Sequence, residues 1–99
     1  MIIEIEEARF PTSVDRKQVD DFANNVAKPA CEKAGYKMIR FAWMQIGGPT
    51  NMGIFIGELD SLADLERMWT VKEMQEYTTE FRRRFPNVEM TRRILEVVE

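Results

Sequence analysis

The sequence predicts an α+β fold in which a four-stranded antiparallel sheet carries its helices on one face. Three observations lead there. The chain has 99 residues, enough for one domain. With 44% apolar and 31% charged residues, it has the balance of a chain that buries a core. Its hydrophobic period switches between two and 3.6 residues in the order β-α-β-β-α-β.

Residues 2–10 form the first predicted strand. Ile3 and Ile5 alternate with Glu4 and Glu6, so the two glutamates share the face opposite the isoleucines. Pro11-Thr12-Ser13 breaks the strand and supplies helix-capping groups, with Asp15 three residues after Thr12. A helix is predicted over 14–34, where Val19, Phe22, Val26, Ala30 and Ala34 make one apolar stripe. Pro29 lies inside it. Proline lacks a backbone donor and crowds the preceding turn, so a kink or restart is expected there. Gly35 is placed to end the helix.

Residues 36–46 are the most apolar strand, carrying Phe41, Trp43, Met44 and Ile46, and both of its faces are expected to be buried. Gly47-Gly48-Pro49-Thr50-Asn51 is a turn. The third strand covers 52–59. Gly53 and Gly57 share a face with Phe55, leaving room for something to approach the ring. Ser61 and Asp64 resemble a capping box that opens a second helix, with Leu62, Leu65, Met68 and Trp69 as its stripe. Thr70-Val71-Lys72-Glu73 is a further capping box, which predicts a break and a new helix over 71–85. Pro86-Asn87 ends it, and 88–98 form the last strand.

This order is that of the ferredoxin-like fold, whose usual strand order is 4-1-3-2. The second strand then lies at an edge. An exposed apolar edge strand is an aggregation hazard. A second copy of the chain is therefore expected to cover it in a two-fold homodimer.

Composition excludes several classes of chemistry. There is no histidine, the commonest metal ligand and general base, and a lone cysteine gives no intrachain disulfide or cysteine-based zinc site. No metal and no cofactor are expected. The net charge is −3, and neither half of the chain has the positive excess of a nucleic-acid binder. Arg82-Arg83-Arg84 reads as a solvated last helical turn, where positive charge suits the helix dipole. No apolar run approaches the roughly 20 residues that span a bilayer. The first residues lack the pattern of a signal peptide, so the cytoplasm is the expected compartment. Cys31, among alanines on a helix, reads as a buried structural thiol.

The β-α-β-β-α-β order, the start Met1-Ile2-Ile3-Glu4-Ile5, the helix proline Pro29 and the segment Ile46-Gly47 together resemble the dimeric α/β-barrel superfamily. Residues 35–64, with Asn51 leading into Glu58-Leu59-Asp60-Ser61-Leu62-Ala63-Asp64, are most similar to its NIPSNAP-type members, and antibiotic-biosynthesis monooxygenases are related. The resemblance implies a dimer with sheets packed face to face and a cavity between each sheet and its helices. The chain departs from it in one respect: Phe55 and Gly57 stand late in the third strand, where an aromatic or histidine is frequent. Without histidine, the haem-ligating roles of the superfamily do not carry over.

The candidate chemical groups form a loose set. A buried Glu4 or Glu6 needs a partner or takes a raised pKa, which suits a general base; Arg40 and Arg92 are strand residues able to pair with them. Phe41, Trp43, Phe55, Trp69 and Tyr77 are candidates to line an apolar pocket, together with several methionines. The indole N–H groups and Asn51 are candidate donors to a ligand carbonyl. The first functional reading is a small homodimer binding a small, largely apolar molecule. The second is a cofactor-independent monooxygenase or isomerase on an aromatic or polyketide-like substrate, with Trp43, Asn51 and Tyr77 orienting it and a glutamate taking a proton. The third is a structural or accessory protein-interaction subunit.

Overall fold

The structure is a computed structural model that describes residues 1–98. Its elements follow the predicted order. Strand β1 (Ile2–Arg9) is followed by α1 (Arg16–Phe22), a π-helical turn (Ala23–Ala27) and α2 (Lys28–Ala34). Then come β2 (Met38–Trp43), β3 (Met52–Leu59), α3 (Leu62–Met68), α4 (Lys72–Arg84) and β4 (Glu89–Glu96). The four strands pair antiparallel in the order β2-β3-β1-β4, the ferredoxin-like arrangement.

Local chemistry explains the boundaries. Asp15 caps α1 by accepting from the Lys17 backbone N–H. Pro29 has no N–H to give, and the chain absorbs this as the π-helical turn just before it: the Lys28 N–H reaches Ala23, five residues back. Gly35 ends α2 with φ 108°, the left-handed region that glycine enters without cost. Ser61 caps α3 through the Asp64 N–H, as its spacing predicts. The box read at Thr70–Glu73 works differently. Val71 occupies the cap position of α4, and the Thr70 hydroxyl instead donates backwards to the Arg67 carbonyl.

The sheet has an inner face under the helices and a bare outer face. Ile2, Phe55, Leu59 and Tyr36 pack from the sheet side against Cys31, Leu65, Met68 and Met74. Phe10 meets Phe22, Ala27 and Phe85 at the other end. Cys31 is buried and free. The β1 register puts Ile3 opposite Leu95 and Ile5 opposite Ile56, all on the outer face with Ile54.

Two expectations need correcting. The second strand ends at Trp43 rather than Ile46, and it is not buried on both faces. Ile39, Phe41 and Trp43 are half-buried under the helices, whereas Arg40 and Ala42 are exposed on the outer face and Ile46 is 90% exposed. An edge strand in a two-layer fold has only one covered face. Among the described residues, no helix is long and apolar enough to cross a membrane.

Candidate functional site

The alternation on β1 turns its glutamates inward. Glu4 is completely buried on the inner face. An isolated carboxylate there is very costly, so its oxygens must be satisfied. The Tyr36 hydroxyl donates to one oxygen of Glu4. Arg92 Nε donates to the other at 2.5 Å. Tyr36 follows the glycine that ends α2, so its ring swings directly under the sheet. Gly57 makes room for it: a Cβ at Gly57 would lie 2.6 Å from the ring. The space beside Phe55 is thus taken by the protein's own tyrosine, and the space at Gly53 by Phe10.

Glu6 lies directly opposite Arg92 in the β1–β4 register. Its Oε1 is 3.8 Å from Arg92 Nε, and the side chain is 16% exposed. Burial pushes its carboxyl up to about 7, and the negative charge of Glu4 adds to this, while Arg92 opposes it. The neighbouring Glu4 charge therefore helps keep the proton on Glu6 up to near neutrality. The Arg92 guanidinium also lies 4.8 Å over the Trp69 ring. Burial raises the phenols of Tyr36 and Tyr77, and the acidic groups nearby add to both shifts. Burial likewise pushes the Cys31 thiol up to about 12, which leaves it inert as a nucleophile at neutral pH.

Beside this network, the inner face and the helices leave a cleft of about 90 Å³. Its walls are Phe10, Phe22, Phe41, Phe55, Tyr77 and Phe81, with Ala8, Ala23 and Ala27 providing the space. Glu6 is the carboxyl among these rings; Asp20 is at the side of Trp43. A second hollow, of about 280 Å³, shares Glu6, Phe55, Tyr77 and Phe81 with the first. It opens between α4 and β4 towards Trp69, Thr78, Arg82, Thr91 and Arg92. Helices cover β2, β3 and β1 but leave β4 bare, and this produces the opening.

Glu6, Phe41, Phe55 and Tyr77 therefore come together in one cleft, and Trp69 stands at its second mouth. Trp43 lines the cleft, but its indole N–H donates to Asp20 at 2.7 Å, and Arg16 lies 4.7 Å over its ring. Glu4 is below the cleft lining, its oxygens used by Tyr36 and Arg92. Asn51 is outside it. Its side-chain amide donates to the Phe10 and Pro11 carbonyls at 3.0 and 2.7 Å, tying the hairpin to the end of β1. Arg40 is on the outer face opposite Ile56, so the pairing expected of it with Glu4 or Glu6 does not form; Arg92 takes both. Sequence reasoning missed Tyr36. The signal was present in Gly57, the small residue on the inner face, and in a tyrosine next to the helix-ending glycine. Among the described residues, no group of three or more His, Cys, Asp or Glu side chains is placed to hold a metal ion.

No family model matches the chain, and no curated protein matches it. Solved structures do match. An uncharacterised NIPSNAP domain protein from Burkholderia xenovorans superposes with a TM-score of 0.71 at 15% identity, over 99% of this chain and 95% of that one. SnoaB, a cofactor-independent oxygenase from Streptomyces nogalater, gives 0.74 at 7% identity, over 99% and 93%. A dimeric ferredoxin-like protein from an uncultured marine organism gives 0.71 at 16% identity, over 99% and 95%. The chain thus has the ferredoxin-like fold, and its structural neighbours include the kinds of protein its sequence resembles.

Proposed function

We propose that the protein is a homodimer in which each chain binds a small, largely apolar molecule between sheet and helices. The observation that carries this is the cleft itself. A domain of this size normally closes its core to native density, yet here seven aromatic rings line a cleft that leaves about 90 Å³ unfilled. Such a shape, mostly apolar with a few polar groups, is that of a small-molecule site. Isothermal titration with 2-naphthol tests it. Binding is expected in the wild type and is expected to vanish in Ala23→Phe, which fills the cleft. Equal heats from both proteins contradict the reading.

The dimer rests on the outer face, where Ile3, Ile5, Ile54 and Ile56 are only half-buried by the chain itself. One structural neighbour is described as dimeric. We propose the cytoplasm as the compartment of this protein.

A second reading is favoured by one observation. Glu6, pushed up to about 7 by burial, faces the cleft and is poised as a proton acceptor at neutral pH. That suits a cofactor-independent monooxygenase or isomerase acting on an aromatic or polyketide-like substrate, the bound molecule then being a substrate that loses a proton to Glu6.

A further inference from the structure

We infer that the molecule in the cleft carries an acidic group, a carboxylate or an acidic enol, seated between Arg82 and Arg92. The inference rests on the reading that the cleft binds an apolar molecule, and it adds the class of that molecule.

The basic run Arg82-Arg83-Arg84 is not one solvated patch. Arg83 and Arg84 both turn to Glu80, at 2.5 and 2.7 Å, and Arg84 also lies over the Phe22 ring at 5.2 Å. Arg82 diverges from them and lines the mouth between α4 and β4. Among the described residues it has no carboxylate within ion-pair distance. Arg92 lines the same mouth. Its contacts with Glu4 and Glu6 run through Nε. Arginine has a planar fork of donors, so these contacts leave its two terminal nitrogens unused. The guanidinium carbon lies 4.8 Å over the Trp69 ring, a cation–π contact that helps hold the group at this mouth. Thr78 lines the same mouth, and the aromatic cleft begins immediately behind, at Glu6, Phe55 and Tyr77.

The charge balance favours an anion. Arg92 faces Glu4 and Glu6, and burial pushes the Glu6 carboxyl up to about 7, while Arg82 has no carboxylate partner among the described residues, so it brings positive charge to the mouth. Glu80 is occupied by its own two arginines. A ligand with a flat apolar body and an acidic head fills both halves: rings among the phenylalanines, head on the two guanidiniums. A charged head held by arginine gains roughly tenfold or more over a neutral one of the same shape.

Titration calorimetry with 1-naphthoate and its neutral isostere 1-naphthamide, at pH 7 and low salt, tests this. The acid is expected to bind about tenfold more tightly, the charged-arginine gain just stated. Arg82→Gln changes an exposed residue at the end of α4, and circular dichroism confirms its fold. It is expected to cut the preference to about threefold or less, since one of two arginines remains. If naphthamide binds and naphthoate binds no better, the acidic head is overturned while the apolar cleft stands. A preference that survives Arg82→Gln intact also overturns it. If neither compound binds, both readings fall.

Discussion

Arg92 on β4 reaches Glu4 on β1 with 2.5 Å between Nε and Oε2, and Glu4 is entirely shielded from solvent. This contact fixes the inner face of the sheet. It joins the last strand to the first, holds a carboxyl where an aliphatic side chain would be expected, and sets the charge that Glu6 experiences. Glu4, Glu6, Tyr36 and Arg92 are therefore one unit at the edge of the cleft.

The Tyr36 hydroxyl is the second support of Glu4. Tyr36→Phe removes one hydrogen bond to a buried charged group and leaves the ring in place. We expect a loss of about 2 kcal/mol in urea unfolding. An unchanged midpoint would show that Glu4 is satisfied without it.

Gly57 is required by the Tyr36 ring, since an added Cβ would lie 2.6 Å from it and 2.9 Å from Phe55. Neither ring is a free chain end. Gly57→Ala is expected to cost about 2 kcal/mol by overpacking and to alter the near-ultraviolet circular dichroism of the tyrosine. Wild-type stability and spectrum together would refute the close packing.

Glu6 makes stability depend on pH. Its carboxyl is held at about 7 in the folded chain against 4.5 for the ordinary group. The folded state therefore binds more protons between these values, and stability falls as pH rises through that window. The full swing is on the order of 3 kcal/mol, since each tenfold gain in proton affinity on folding is worth about 1.4 kcal/mol. The melting temperature is expected to be higher at pH 5.5 than at pH 8, and Glu6→Gln to flatten the difference. A wild-type profile as flat as that of the variant would contradict the assignment.

The outer face is tested at its centre. Ile56 lies opposite Ile5 and beside Arg40. Light scattering is expected to give twice 11.6 kDa for the wild type. Ile56→Lys buries a charge in the interface and is expected to give a folded species of 11.6 kDa. A wild-type monomer would remove the dimer from the account.

Much of the fold was legible in the sequence. Element order, the helix end at Gly35 and the disturbance at Pro29 follow from local chemistry that acts within a few residues, and the strand order follows from the ferredoxin-like topology which that element order implies. The sidedness of β1 was not legible. A period of two tells which residues share a face, but not which face the helices cover, and Ile-Glu alternation reads most simply as isoleucine inward. Tyr36 and Arg92 reverse this by satisfying Glu4, and they lie 32 and 88 residues from it along the chain. Arg40 and Arg92 looked equivalent as strand arginines, and only the register separates them. Trp43 was legible as a polar handle but not as one already engaged, because Asp20 reaches it through tertiary packing; Asn51, as turn asparagines commonly do, serves its own hairpin, here by donating to the Phe10 carbonyl.

The central claim is that the space among the phenylalanines is a binding site. Amide chemical shifts of the isotopically labelled protein, followed while 2-naphthol is added, address it most directly. The account predicts saturable shifts concentrated at Ala8, Ala23, Ala27, Phe41, Phe55 and Tyr77, the lining of the cleft. Shifts confined to the outer face around Ile3, Ile5 and Ile54, or none at saturation, would contradict it.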